Sequence, residues 1–395
     1  MKEMSRNILV LCVGALLSGC ASNVNNKRAI QEPISEYEKL AIAEANKGNV
    51  DAQLELGRFY FKSKDYQKTY EWCLKAANQG NTKAYGMLST MYYHGLYVKQ
   101  DRKKAFDWAL KAAINGDANG QLLIGSMYFD GDGVEKDYKK AFEWVQKSVA
   151  QNNYNALGML AAFYMNGIYV PKNYKKAFEY ASAAAEHNGC MGRRVLGMMY
   201  CFGYGIEKNN AKALEHFKRA FSLGDKAFSP SIIGEIYNEL KNYPKAFEWY
   251  MKAAKNGDGI ANFRVANFYK QGVYVKKDHN KFLEHMTKAA DANILEALFL
   301  LGLYYNSETN AVNKDFVGRD DKKAFKYLLK AAELGSAWAQ IMVGIMFGEG
   351  RGTEKNKELG EYWVMKGCTN DPALANKIGT KIQQELDKLN QKKTK

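Results

Sequence analysis

The chain has 395 residues, 47% of them hydrophobic and 25% charged, and carries a net charge of +15 at pH 7. That balance is globular rather than disordered, and six cysteines spread over this length exclude a small disulfide-stapled scaffold. One hydrophobic core of this size would be unusual, so stacked units that each touch only their neighbours are the expected solution.

The first segment, residues 1–19, reads as a secretory leader. Lys2 and Arg6 give a positive start, and Ile8 to Leu17 is an apolar run of ten residues, too short to span a bilayer as a helix. The run ends in Leu17-Ser18-Gly19-Cys20, which resembles the bacterial lipobox. The resemblance implies a lipoprotein signal peptide and a lipidated Cys20. Ala21 at the next position implies sorting to the outer membrane, with the chain facing the periplasm. Removing the leader takes away Lys2, Glu3 and Arg6 and leaves +14. Residues 20–36 are polar and read as a flexible tether, because they bury too little apolar surface to offset the entropy of ordering. Tyr37 to Gly48 reads as a single capping helix.

From there a motif recurs. An aromatic stands at Tyr60, Tyr92, Tyr128, Tyr164, Tyr200, Tyr237, Tyr269, Tyr305 and Phe347, at steps of 32 to 42 residues. Three residues before each lies Gly57, Ser89, Gly125, Ala161, Gly197, Gly234, Ala266, Gly302 or Gly344. A second block follows each aromatic, as in Lys104-Ala105-Phe106-Asp107-Trp108 and Lys245-Ala246-Phe247-Glu248-Trp249. Leu122, Gly125 and Tyr128 share one helical face, and Ala141, Trp144 and Val145 share another. The small residue is expected to let the second helix approach closely. Gly131-Asp132-Gly133 and its counterparts read as turns, not phosphate loops, because they recur with the repeat and lack a following Gly-Lys-Ser/Thr.

This pattern resembles Sel1-like repeats, relatives of the tetratricopeptide repeat, over about Asp51 to Asp371. The departures are local: Lys62 to Tyr66 and Asn238 to Tyr243 lack the glycine loop, Ser307 to Asp320 is longer, and Gly360 replaces the usual alanine. The resemblance implies an all-α fold, a right-handed α-solenoid of about nine helix-turn-helix repeats over residues 37–371. A C-terminal capping helix and Lys-rich tail over 372–395 would close it. It also implies a protein or peptide partner bound on the concave face. Mapped from the related repeat's groove, the partner-facing residues would be Arg58, Phe61, Tyr93, Phe129, Met165, Arg194 and Met198. The positive charge favours an acidic partner.

No catalytic constellation emerges. His94, His187, His216, His279 and His285 fall at different repeat positions, without an H-E-x-x-H, C-x-x-C or G-x-S-x-G motif. None of the fourteen serines has a lysine three residues on, against the β-lactam-type hydrolase that a cysteine-rich branch of the family would suggest. No nucleic-acid module and no cofactor or metal motif is present, so neither cofactor nor nucleic acid is expected. Cys190 and Cys201 lie on one predicted helix about 16 Å apart, beyond disulfide reach. The functional expectation is a non-catalytic, envelope-anchored interaction scaffold. The alternative is a periplasmic immunity protein that occludes a toxic effector enzyme.

Overall fold

In a computed structural model, residues 36–306 and 319–373 are described, and among them the chain is all helix and turn. A lone helix α1 (Glu36–Asn46) precedes a series of helix pairs. The first unit, ending at Ile236, contains α2 (Val50–Lys62) with α3 (Tyr66–Asn78), α4 (Thr82–His94) with α5 (Arg102–Ile114), α6 (Ala118–Asp130) with α7 (Tyr138–Val149), α8 (Tyr154–Asn166) with α9 (Tyr174–Glu186) and α10 (Cys190–Phe202) with α11 (Asn210–Ser222). The helix α12 (Ser229–Glu239) carries the boundary between the two units. The second unit, from Tyr237, contains α13 (Tyr243–Lys255), then α14 (Gly259–Gln271) with α15 (His279–Asp291), α16 (Leu295–Asn306) with α17 (Asp321–Glu333) and α18 (Ala337–Glu349) with α19 (Lys357–Asn370). Within each unit consecutive helices pack on one another, the arrangement of a solenoid. The leader, the tether, Cys20 and the expected capping helix beyond residue 373 lie outside the described residues.

Local chemistry sets the helix ends. All nine second helices open on an Asp or Asn, from Asp65 through Asn356. The side chain accepts a hydrogen bond of 2.9 to 3.3 Å from the backbone N–H three residues on. Six first helices end on a glycine in the left-handed region, at Gly95, Gly131, Gly167, Gly203, Gly272 and Gly350.

The recurring small residue acts as a spacer. A Cβ at Gly125 would lie 2.8 Å from Val145 Cγ2 on α7, and one at Gly344 would lie 2.6 Å from the Gly360 carbonyl on α19. Gly360 is therefore the partner of Gly344, since α18 and α19 meet backbone to backbone there, and its own Cβ would lie 2.9 Å from the Gly344 oxygen. Where the spacer is Ser89, its hydroxyl donates to the Ala105 carbonyl at 2.7 Å.

Two recurring devices were not visible in the motif. The lysine of the second block sits over the aromatic of its own repeat in eight copies, from Lys68 over Tyr60 to Lys323 over Tyr305, at 4.7 to 5.6 Å. Part of the lysine excess therefore packs against the chain's own rings. In addition, Gln53, Gln121 and Gln340 are buried, each donating to the carbonyl eight residues earlier and accepting from Gln79, Gln151 and Asn370. Each glutamine adds a second hydrogen bond to a turn carbonyl that already accepts from the glycine N–H three residues on, and so ties its helix to the turn before it.

Candidate partner-binding surface

The residues expected to face a groove divide into two sets. Arg58, Phe61 and Tyr93 keep partial exposure. Arg58 pairs with Glu55 at 2.7 Å, and Phe61 meets Tyr66 edge-on at 5.8 Å. The Tyr93 hydroxyl donates to Asp132 at 2.7 Å under the Arg102 guanidinium, and burial with that carboxylate pushes its pKa up to about 12.

Phe129, Met165, Arg194 and Met198 are buried, which corrects their placement on an open face. The groove mapping assumes that the inner face of each first helix is open. Here first helices pack on the next first helix: Phe129 on α6 meets Phe163 on α8 at 5.3 Å, and α8 packs directly on α10. Arg194 has a different reason. It forms an ion pair with Asp225 at 3.5 Å and lies over the Phe228 ring at 4.3 Å, with all three residues buried. Asp225 also accepts from the Phe228 and Ser229 backbone N–H groups at 3.1 and 3.2 Å and from the Ser229 hydroxyl at 2.6 Å. This network holds the irregular turn before α12.

Exposed aromatic chemistry recurs instead in the loops between first and second helices. The third loop residue has positive φ in every glycine-capped loop, and two residue types share the position. Gly133, Gly205 and Gly352 occupy it at φ of 69 to 71°, and Tyr97, Tyr169 and Tyr274 at 63 to 65°. In the glycine loops a Cβ is impossible: it would lie 2.1 Å from the Arg102 oxygen at Gly133 and 2.0 Å from the Asp321 oxygen at Gly352. In the tyrosine loops the ring leans outward and remains 56, 52 and 60% exposed at Tyr97, Tyr169 and Tyr274. Each ring touches one aromatic of the preceding second helix, namely Tyr70, Phe142 or Phe247, at 5.4 to 5.9 Å. Two residues further on, the glycine loops carry Glu135, Glu207 and Glu354, whereas the tyrosine loops carry Lys99, Pro171 and Lys276. The sequence contained this signal, as Gly-x-Gly against Gly-x-Tyr, but only the dihedral angles give it meaning.

Elsewhere the titratable groups serve packing. Burial raises the Cys73 thiol to about 12, which keeps it an unreactive thiol. His285 is buried against Asn262 at 2.9 Å, and burial lowers its pKa. No three His, Cys, Asp or Glu side chains converge as metal ligands among the described residues, and no described helix is long and apolar enough to cross a membrane.

Capped helix pairs with a small-residue spacer and a left-handed loop define a tetratricopeptide-related helical repeat protein. The Sel1 repeat profile matches residues 50–81, 82–117, 118–153, 155–189, 193–225, 234–258, 259–294, 295–336 and 339–371. The chain belongs to the Sel1 repeat family. Sel1 repeat proteins are protein-interaction scaffolds and are generally non-catalytic. Among curated proteins, the chain is 35% identical over 79 residues to chitin synthase regulatory factor 3 of Schizosaccharomyces pombe, covering 19% of this chain and 8% of that protein. It is 27% identical over 161 residues to chitin synthase regulator SKT5 of Saccharomyces cerevisiae, covering 38% and 22%. It thus spans less than a quarter of either relative. Among solved structures, it is similar to a protective antigen of uropathogenic Escherichia coli, at 26% identity and TM-score 0.48 over 93% of this chain and 78% of the other. It is also similar to a Sel1 repeat protein from Oxalobacter formigenes, at 24% identity and TM-score 0.41 over 93% and 99%.

Proposed function

We propose that this protein is a non-catalytic scaffold of the bacterial cell envelope, held by acyl chains on Cys20 and facing the periplasm, that binds an acidic protein partner. The Leu17-Ser18-Gly19-Cys20 sequence after an apolar run supports the anchor, and the polar stretch up to residue 36 suits a tether.

The observation that carries the partner reading is the set of tyrosine loops. A bulky residue in the left-handed region costs roughly 1–2 kcal/mol, and such strain gathers at functional positions. Three sibling loops relieve it with glycine, so the fold does not need the ring. What Tyr97, Tyr169 and Tyr274 add is an exposed aromatic with the neighbouring glutamate gone, replaced by Lys99, Pro171 and Lys276. Tyrosine is a favoured interface residue, and the local charge selects against basic partners. Arg58 and Phe61 are further accessible contacts on α2.

The test is crosslinking and mass spectrometry of the native envelope, comparing the natural chain with the double variant Tyr97→Gly, Tyr169→Gly. Glycine removes about 1–2 kcal/mol of backbone strain and about 0.5–1.5 kcal/mol of ring contact, so stability should hardly change. Partner crosslinks should fall sharply, and an unchanged partner set refutes the surface. Cys20→Ala should abolish labelling by a palmitate analogue; persistent labelling refutes the anchor.

A further inference from the structure

A second site lies in the first unit, at the opposite ends of the helices, where second helices turn into first helices. The turns at residues 150–153 and 187–189 frame an open cavity of about 340 Å³ whose lining includes Asn119, Gln151, Asn152, Tyr154, His187 and Asn188. The lining holds no Lys, Arg, Asp or Glu, and Ala118 is its one aliphatic side chain. Its volume is at the lower end of the roughly 300–1,000 Å³ of small-molecule sites.

The turns share one left-handed position. The left-handed residue of this turn is glycine at Gly80, Gly116, Gly224, Gly257 and Gly335 and asparagine at Asn152, Asn188 and Asn293, with φ of 58 to 61° at the asparagines, and only Asn152 and Asn188 fall in successive repeats. The backbone therefore does not require these amides; glycine serves elsewhere.

Internal hydrogen bonds set which end of each amide is left for a ligand. Asn188 accepts from Arg219 at 2.9 Å through its carbonyl, which leaves its NH2 as a donor. Asn119 likewise accepts from Asn153 at 3.1 Å and offers its NH2. Gln151 donates its NH2 to Gln121 at 2.8 Å, which leaves its carbonyl as an acceptor. Tyr154 and His187 stack at 3.8 Å with an 8° interplanar angle, forming a rigid two-ring platform. Mixed amide donors and acceptors beside an aromatic platform, without charge, match hydroxyl groups, which both donate and accept. An extended peptide would instead require pockets for alternate side chains, and this lining supplies none.

We infer that this cavity binds an uncharged oligosaccharide, with the amides of Asn119, Gln151, Asn152 and Asn188 reading hydroxyl groups and the Tyr154–His187 pair packing beside a sugar ring. The test uses the full chain in 1H–15N TROSY titrations with three neutral probes, N-acetylglucosamine tetramer, cellotetraose and maltotetraose, and with a Gly-Ser dodecapeptide as the peptide arm. At least one sugar should move the side-chain amide signals of these residues in a saturable way. The double variant Asn152→Gly, Asn188→Gly should weaken that binding by about tenfold or more while leaving the melting temperature in place, since glycine holds the same turn in sibling repeats. The inference is overturned if no sugar saturates the signals up to roughly 10 mM. It is overturned equally if the peptide alone does so, or if the double variant binds as well as the natural chain.

Discussion

Replacing Asp225 with alanine and Arg194 with methionine, separately, measures what the buried ion pair does. Both side chains are almost wholly enclosed, so solvent screening is weak. Asp225→Ala leaves the Arg194 guanidinium buried without its partner and strips acceptors from two backbone N–H groups and the Ser229 hydroxyl. A guanidinium cannot shed its proton, so the cost should reach about 3–5 kcal/mol. Arg194→Met is milder. The carboxylate keeps its three hydrogen bonds, methionine refills the aliphatic volume over Phe228, and the cost should be about 1–3 kcal/mol. Urea unfolding followed by circular dichroism reads the total effect, and hydrogen exchange on α10 and α11 localises it, because a repeat array need not unfold in one step. Equal costs for the two variants would refute this account.

Gly133→Ala should destabilise the first unit by more than the roughly 1 kcal/mol expected from dihedral strain, because its Cβ would lie 2.1 Å from the Arg102 oxygen and the loop must shift; a melt matching the natural chain would contradict this. Burial and the nearby Asp132 carboxylate raise Asp130 to about 7, so the folded state holds a proton the unfolded chain has lost. Its contribution to stability is full below about pH 4, falls as pH rises to about 7, and is flat above. Asp130→Asn should remove that slope, read as the difference in unfolding free energy between pH 4.5 and 7.5. His285 has the opposite sign: burial lowers its pKa, so its contribution is lost as pH falls below the ordinary histidine value, and a His285→Gln variant should unfold with less acid sensitivity.

Much of the fold was legible because the information is local and repeated. A glycine turn and a three-and-four apolar spacing act within a few residues, and their recurrence over nine repeats reinforces the signal. Gly360 shows the limit: sequence marks it as a departure, and only the backbone contact with Gly344 explains it.

The partner surface was less legible. Phe129, Met165 and Met198 fall at the spacing of an accessible ridge, and the stacking of first helix on first helix buries them. Arg194 reads as a surface hot spot until Asp225, thirty-one positions away in the chain, is folded against it. The tyrosines at 97, 169 and 274 are plain in the sequence, but their exposure and left-handed backbone are tertiary facts. The amide-lined cavity is assembled from turns a full repeat apart. By itself the sequence determined that the chain is a helical repeat, because periodicity and turn chemistry are properties of neighbouring residues. Tertiary structure alone decided which faces remain for a partner, because burial depends on what each helix meets one repeat away.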